Sequence, residues 1–110
     1  MTSITIPFLH SCRKIPSNYR VLLLQGGGTA QFAALPLNLS QSSDQVADYF
    51  VTGIWSSKAA KEAEKFVKVN HVLPKRSQFT TIPSKDQWKL TPGAAYVYYC
   101  ANETVHGEYQ

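Results

Sequence analysis

Apolar residues along this chain fall either in short continuous runs or at helically spaced positions. Residues 21–25, Val-Leu-Leu-Leu-Gln, form a run bounded by turn residues, and this pattern predicts a strand buried on both faces, as in parallel sheets. Three glycines follow, and the apolar positions after them recur at helical spacing. They predict a helix over 30–39, with Thr29 as its N-terminal cap.

The same order of elements then recurs. Residues 47–52 predict a second strand that ends at Gly53, and 55–67 predict a helix with one apolar face. Residues 69–73 and 96–100 predict two further strands. Strands that alternate with helices are typical of the α/β class, so we expect a mostly parallel sheet with flanking helices.

Composition narrows the class of protein. Hydrophobic residues make up 44% and charged residues 16%, which favours a globular chain whose surface is partly covered, because charged residues usually reach about a quarter. The net charge is +4, and the sequence has no arginine-rich run, so a nucleic-acid partner is not indicated. Neither a signal sequence nor a long apolar segment is evident, and we expect a cytoplasmic protein without a membrane partner. Cys12 and Cys100 lie far apart in the sequence and are expected to be free thiols.

Ligands of open α/β sheets bind beyond the carboxyl ends of the strands, which directs attention to three loops. Glycines in residues 26–31 allow backbone N–H groups to approach a phosphate at a helix N-terminus, although a plain tight turn is equally compatible. The second loop delivers Trp55, whose indole can stack on an aromatic ligand or pack in the core. In the third, 101–107, Asn102 or Thr104 can bond a ring substituent or cap a turn.

Four lysines share the segment that follows Trp55, at positions 58, 61, 65 and 68. Glu62 and Glu64 lie among them, and Lys58 stands four residues before Glu62, a spacing that favours ion pairs along a helix. We therefore expect a solvated helix face rather than a phosphate site. The three histidines show no metal-ligand spacing, and no metal ligand is assigned.

Three blocks of the sequence closely resemble the phosphoserine aminotransferases, a class-V, fold-type I family. They are residues 18–39 (NYRVLLLQGGGTAQFAALPLNL), 47–63 (ADYFVTGIWSSKAAKEA) and 96–107 (YVYYCANETVHG). The resemblance implies a transaminase dependent on pyridoxal 5′-phosphate. Its implied reaction converts 3-phosphohydroxypyruvate and glutamate to O-phosphoserine and 2-oxoglutarate in L-serine biosynthesis, and the complete enzyme is implied to be a homodimer.

By this likeness, Gly28 and Thr29 hold the cofactor phosphate, Trp55 stacks on the pyridine ring, and Thr104 bonds the ring's hydroxyl oxygen. The family also uses a lysine that forms a Schiff base with the cofactor. No lysine of this sequence stands in a matching motif, so no catalytic residue is assigned.

We accordingly expect residues 1–110 to be part of the cofactor-binding large domain of an aminotransferase, with no second domain. The alternative is a truncated, non-catalytic paralogue that acts as a phosphate-binding or interaction module. A sequence continuing into an aspartate-bearing strand and then a lysine would indicate the enzyme.

Overall fold

The protein is described here from a computed structural model that covers residues 5–24, 26–75, 81–103 and 108–109. The helices of this part of the chain are α1 (Thr5–Cys12), α2 (Gly28–Leu39), α3 (Ile54–Ala63) and a short 3-10 helix (Lys85–Gln87). The strands are β1 (Val46–Tyr49), β2 (Lys68–His71), β3 (Val97–Tyr98), β4 (Asn102–Glu103) and β5 (Glu108–Tyr109). No helix among the described residues is long and apolar enough to cross a bilayer.

A parallel sheet in the order β2-β1-β3 organises the fold. Tyr49, the last residue of β1, stands opposite His71 of β2 and Tyr98 of β3. The carboxyl ends of the three strands therefore lie at one edge of the sheet. The predicted α/β class with a parallel sheet and flanking helices is confirmed.

The main core lies between β1 and α3. Small side chains on α3, Ala59, Ala60 and Ala63, are buried against Ala47 and Tyr49 of the strand, and they let the helix approach the sheet closely. Val67 is also buried in this cluster, and the partly buried side chains that pack on it are Phe32, Val51, Phe66, Val69, Tyr96 and Tyr98. Because Phe32 belongs to α2, both long helices are joined to one core.

Three tyrosine rings pack together at the carboxyl end of β1, beside this core. Tyr49 stacks on Tyr98 with 4.8 Å between the ring centroids, and its hydroxyl lies 2.8 Å from the hydroxyl of Tyr96. Burial raises the pKa of Tyr49 above its ordinary value, and hydrogen bonding to Tyr96 raises it further. The tyrosine that ends β1 therefore stays neutral and anchors the strand end.

A second, smaller cluster contains Phe50, Val72 and Leu73, with Trp88 packed against it. The rings of Phe50 and Trp88 meet edge to face at 4.8 Å. The indole N–H of Trp88 donates to the carbonyl of Pro83 at 2.9 Å. Trp88 thus has the usual position of a core tryptophan, with its polar atom paired.

The predicted strand at residues 21–25 is wrong over its described part. Residues 21–24 form no strand, and Leu22 and Leu24 are 66% and 72% exposed; Gln25 lies outside the described residues. A strand requires a neighbour for its N–H and C=O groups, and the described part of the chain contains no strand paired with this segment. An apolar run supplies the side chains of a strand but not its hydrogen-bonding partner.

Element ends also differ from those predicted. Helix α2 begins at Gly28 with Gly27 at the cap position, so Thr29 lies in the first turn and is not the cap. The predicted helix over 55–67 ends at Ala63, where the chain tightens and the N–H of Phe66 bonds the carbonyl of Ala63 at 2.9 Å. The strands predicted at 47–52, 69–73 and 96–100 are each confirmed over a shorter span, as β1, β2 and β3.

Candidate functional site

Two of the three predicted ligand loops meet at the carboxyl edge of the sheet. Strand β1 leads through Gly53 into α3, which carries Trp55 in its first turn, and β3 leads into β4. The contact between them is made by the side chain of Glu103, which is fully buried. This carboxylate joins segments that are separated by 47 to 48 residues in the sequence.

Glu103 caps the N-terminus of α3. Its Oε2 accepts a hydrogen bond from the backbone N–H of Trp55 at 3.1 Å, and its Oε1 accepts from that of Ser56 at 2.9 Å. The hydroxyl of Ser56 also donates to Oε1. A carboxylate is well suited to this place, because the first N–H groups of a helix lack partners within it and carry partial positive charge.

Gly53 provides the space for this carboxylate. A Cβ atom at position 53 would lie 2.6 Å from both Cδ and Oε2 of Glu103. The backbone there is extended, with φ 179°, so space rather than conformation requires glycine. The Ser56 hydroxyl completes the turn by accepting from the N–H groups of Thr52 and Gly53 at 2.9 and 3.0 Å.

Trp55 lies at the rim of the core. Its side chain is 38% exposed and belongs to neither buried cluster. The ammonium of Lys58 lies 4.8 Å from the centroid of the indole ring, a cation–π distance. The indole of Trp55 is thus partly exposed at the carboxyl edge of the parallel sheet, whereas Trp88 packs against the smaller cluster.

The glycine loop before α2 has room for an anion. A Cβ atom at Gly26, Gly27 or Gly28 would meet no atom within 4 Å, and Gly27 offers no side chain to occupy the helix donors. The first turn of α2 carries no acidic residue. An anion at this N-terminus would meet neither an acidic side chain nor a steric obstacle among the described residues. Helix α2 packs along α3, but Glu103 makes no described hydrogen bond to the glycine loop.

Thr104, the fourth predicted site residue, lies outside the described residues. In β3, burial raises the pKa of Tyr98 to about 12, and the charges of Cys100 and Glu103 add to this shift. Burial also raises the pKa of the Cys100 thiol. These groups are neutral at physiological pH.

All four lysines are exposed, as predicted, but only Lys58 and Lys61 lie on α3, and the ion pairs differ from the predicted one. Lys65 rather than Lys58 pairs with Glu62, at 2.6 Å, while Lys58 lies over Trp55. Lys68 pairs with Asp44 at 3.1 Å.

Sequence reasoning missed three residues at the site: Gly53, Ser56 and Glu103. A glycine and a glutamate fifty positions apart give no local pattern, since their relation is created only by the parallel pairing of β1 and β3. The one usable signal was Glu103 itself, an acidic side chain in the loop that follows the predicted strand 96–100.

The family model described as aminotransferase class-V matches residues 11–110. This chain belongs to the class-V aminotransferase family. Within the family it is similar to the phosphoserine aminotransferase of Drosophila melanogaster, with 56% identity over 103 residues, which cover 94% of this chain and 28% of that protein. It is also similar to phosphoserine aminotransferase 1, chloroplastic, of Arabidopsis thaliana. The identity is 51% over 100 residues, and these residues cover 90% of this chain and 23% of that protein.

Solved structures give the same result for the fold. The pyridoxal-phosphate-bound phosphoserine aminotransferase of Trichomonas vaginalis superposes with a TM-score of 0.76 at 36% identity, over 94% of this chain and 30% of that one. The enzyme of Bacillus circulans subsp. alkalophilus gives 0.69 at 36% identity, over 87% and 27%. The chain thus spans between about a quarter and a third of the length of these relatives.

Proposed function

We propose that this chain is the part of a phosphoserine aminotransferase large domain that binds pyridoxal 5′-phosphate, with residues 1–110 contributing to that one domain. One observation carries the proposal: Glu103 ties the first turn of α3, with Trp55, to the segment that continues into Thr104. The resemblance assigns the cofactor ring to these same two segments. A shared carboxylate supports the assignment because it holds both at one edge of the sheet.

Each proposed contact uses a group suited to one part of the cofactor. The N–H groups at Gly28 and Thr29 bind the phosphate, for which the open N-terminus of α2 is suited. The indole of Trp55 covers one face of the pyridine ring, and the Thr104 hydroxyl bonds the ring's hydroxyl oxygen. Pyridoxal phosphate, when bound, supplies the electron-withdrawing ring that amino-group transfer needs. The lysine that carries it is assigned to no residue of this sequence.

The proposed substrates are glutamate and 3-phosphohydroxypyruvate, which give 2-oxoglutarate and O-phosphoserine for L-serine biosynthesis. The proposed partner is a second copy in a homodimer, a role supported by the exposed leucines 22, 23, 24 and 37. We propose a cytoplasmic location, although the Arabidopsis relative is by its name chloroplastic. Neither nucleic acid nor a membrane is a proposed partner, in keeping with the modest charge.

A chimaeric enzyme tests the proposal. The segment of the Drosophila relative that matches this chain is replaced by the residues of this chain, and the product is assayed for pyridoxal phosphate content and for O-phosphoserine formation. We expect one cofactor per subunit and a rate within about tenfold of the parent, a barrier change of about 1.4 kcal/mol or less. The unmodified Drosophila enzyme is the control.

A folded chimaera without bound pyridoxal phosphate would contradict the proposal. A chimaera that holds the cofactor but turns over no substrate would instead support the non-catalytic binding module.

A further inference from the structure

We propose that Glu103 is a positioning residue of the cofactor site, which sets where the indole of Trp55 lies relative to the segment carrying Thr104. This inference rests on the proposed function, because it concerns the same site. It adds a residue to which the resemblance gave no role. Glu103 acts through Trp55 rather than by contact with the cofactor.

The hydrogen bonds of Glu103 determine which part of the site it holds. One carboxylate oxygen accepts from the backbone N–H of Trp55 itself, and the other accepts from Ser56, the next residue along α3. The first turn of α3 therefore cannot shift or rotate without breaking these bonds. Because the indole extends from that turn, the same bonds fix its position at the edge of the sheet.

The surroundings of the carboxylate make this position a specific one. Glu103 is fully buried and lies against the bare Cα of Gly53, where a Cβ would be only 2.6 Å from the carboxyl group. Its acceptors face at least three donors: two backbone N–H groups and the Ser56 hydroxyl. A glutamine here has one acceptor oxygen, and its NH₂ group would face an N–H or O–H donor. Glu103→Gln thus preserves shape while it breaks part of the anchor.

A purely stabilising Glu103 and a positioning Glu103 differ in one measurable respect. If the residue only stabilises the fold, its loss weakens cofactor binding by the same factor whether or not Trp55 is present. If it acts by placing the indole, the loss matters only while the indole is there. A double-mutant cycle separates the two roles.

The experiment measures the dissociation constant of pyridoxal phosphate for the chimaeric holoenzyme, for Glu103→Gln, for Trp55→Ala and for the double variant. We expect Glu103→Gln to raise the constant by up to about fivefold, because an effect that acts through the indole cannot exceed the loss of the stacking face itself. In the Trp55→Ala background the same change should have an effect of less than about twofold. Equal factors in both backgrounds would overturn the positioning role.

Asp48→Asn is the matched control, since Asp48 is also a buried carboxylate but accepts its hydrogen bonds from Asn70 and Thr91. It should leave the dissociation constant within about twofold. If Glu103→Gln does not fold, Ser56→Ala is the second variant. It removes the hydroxyl that donates to Glu103 and accepts from the N–H groups of Thr52 and Gly53, and it leaves both backbone donors to the carboxylate in place. It should raise the constant about threefold, and again only with Trp55 present. An unchanged constant in Ser56→Ala would then overturn the inference.

The unsubstituted chimaera separates the two proposals. If it lacks pyridoxal phosphate, the proposed function fails. If it holds the cofactor and Glu103→Gln holds it equally well, only the positioning role of Glu103 is wrong.

Discussion

Two acidic side chains are almost completely buried in the described part of this chain, and they hold different regions of the molecule. Asp48 stands within β1 and accepts from the side-chain amide of Asn70 on β2 and from the backbone N–H of Thr91, both at 2.8 Å. Glu103 stands in β4 and accepts from the first turn of α3. Both carboxylates are satisfied by hydrogen bonds, as burial of a charge requires.

What differs is the element that each carboxylate anchors. The partners of Asp48 are a neighbouring strand and the connection that leads to β3, neither of which carries a predicted site residue. The partner of Glu103 is the residue whose indole is the candidate stacking face. Burial and hydrogen bonding alone therefore do not distinguish a structural carboxylate from one at a site, whereas the identity of the anchored residue does.

Gly53→Ala should have the largest effect, because the added Cβ meets the carboxyl group of Glu103 at 2.6 Å. Either the carboxylate leaves its donors or the backbone moves, and we expect a loss of about 3 kcal/mol in the free energy of unfolding. The midpoint of urea unfolding of the chimaera measures it. Gly26→Ala, where a Cβ meets no atom within 4 Å, is the control, and equal midpoints for the two variants would contradict the contact.

Asp48→Ala tests the carboxylate that anchors no predicted site residue. It removes the acceptor of the Thr91 N–H and one acceptor of the Asn70 amide, which also donates to the carbonyl of Lys89. We expect the free energy of unfolding to fall by about 2 kcal/mol, with the pyridoxal phosphate dissociation constant unchanged. Urea unfolding measures the first quantity, the free energy of unfolding, and titration of the same preparation with pyridoxal phosphate measures the dissociation constant. A cofactor loss as large as that of Glu103→Gln would remove the distinction between the carboxylates.

Trp55→Ala should act on the cofactor rather than on the fold. Loss of a stacking face worth about 1 kcal/mol should weaken pyridoxal phosphate binding about fivefold. Thr29→Ala should weaken it less, because the backbone donors of the glycine loop remain. Trp88→Ala is the matched control, since that indole packs on Phe50 in the core and its loss should lower the unfolding midpoint. The amount of pyridoxal phosphate that each variant keeps after dialysis measures these effects. If Trp55→Ala kept all of its pyridoxal phosphate, the stacking role of Trp55 would be contradicted.

The smallest expected effect is an alkaline one at Tyr98, whose pKa is raised from 10.0 to about 12. Below pH 10 the phenol is neutral in both folded and unfolded chains. Between pH 10 and 12 the unfolded chain loses the proton first, so folded stability falls as pH rises through this interval. Tyr98→Phe should lessen this fall in urea midpoints measured from pH 8 upward. An identical pH dependence in the two proteins would contradict the shift.

The sequence predicted the architecture well wherever local pattern and pairing agree. The strands at β1, β2 and β3 combine apolar residues with turn residues at their ends, and each finds a neighbour in the sheet. Residues 21–24 have the more apolar pattern yet form no strand, because the described part of the chain gives them no partner. Pattern predicts which residues favour a strand, and tertiary pairing decides which of them become one.

Only part of the site was predicted, because local pattern identifies some of its residues and tertiary pairing brings in the others. Trp55 was found because residues after strands in an α/β sheet face the ligand edge. The glycine loop was found by the same rule and by its glycines before a helix, although the run that precedes it forms no strand. Glu103 was noticed as part of a loop but assigned no role, since its partners lie 47 and 48 residues away. The space at Gly53 exists only once β1 and β3 are paired. Contacts of this kind follow from the fold and have no signature in the local sequence.

A crystal structure of the chimaera with pyridoxal phosphate bound tests the proposed site most directly. We expect the phosphate at the N-terminus of α2 by Gly28 and Thr29, and the pyridine ring against the indole of Trp55 beside Thr104. We also expect the Glu103 carboxylate on the N–H groups of Trp55 and Ser56. A cofactor bound with its ring away from Trp55, or a Glu103 carboxylate turned out of the first turn of α3, would contradict this arrangement.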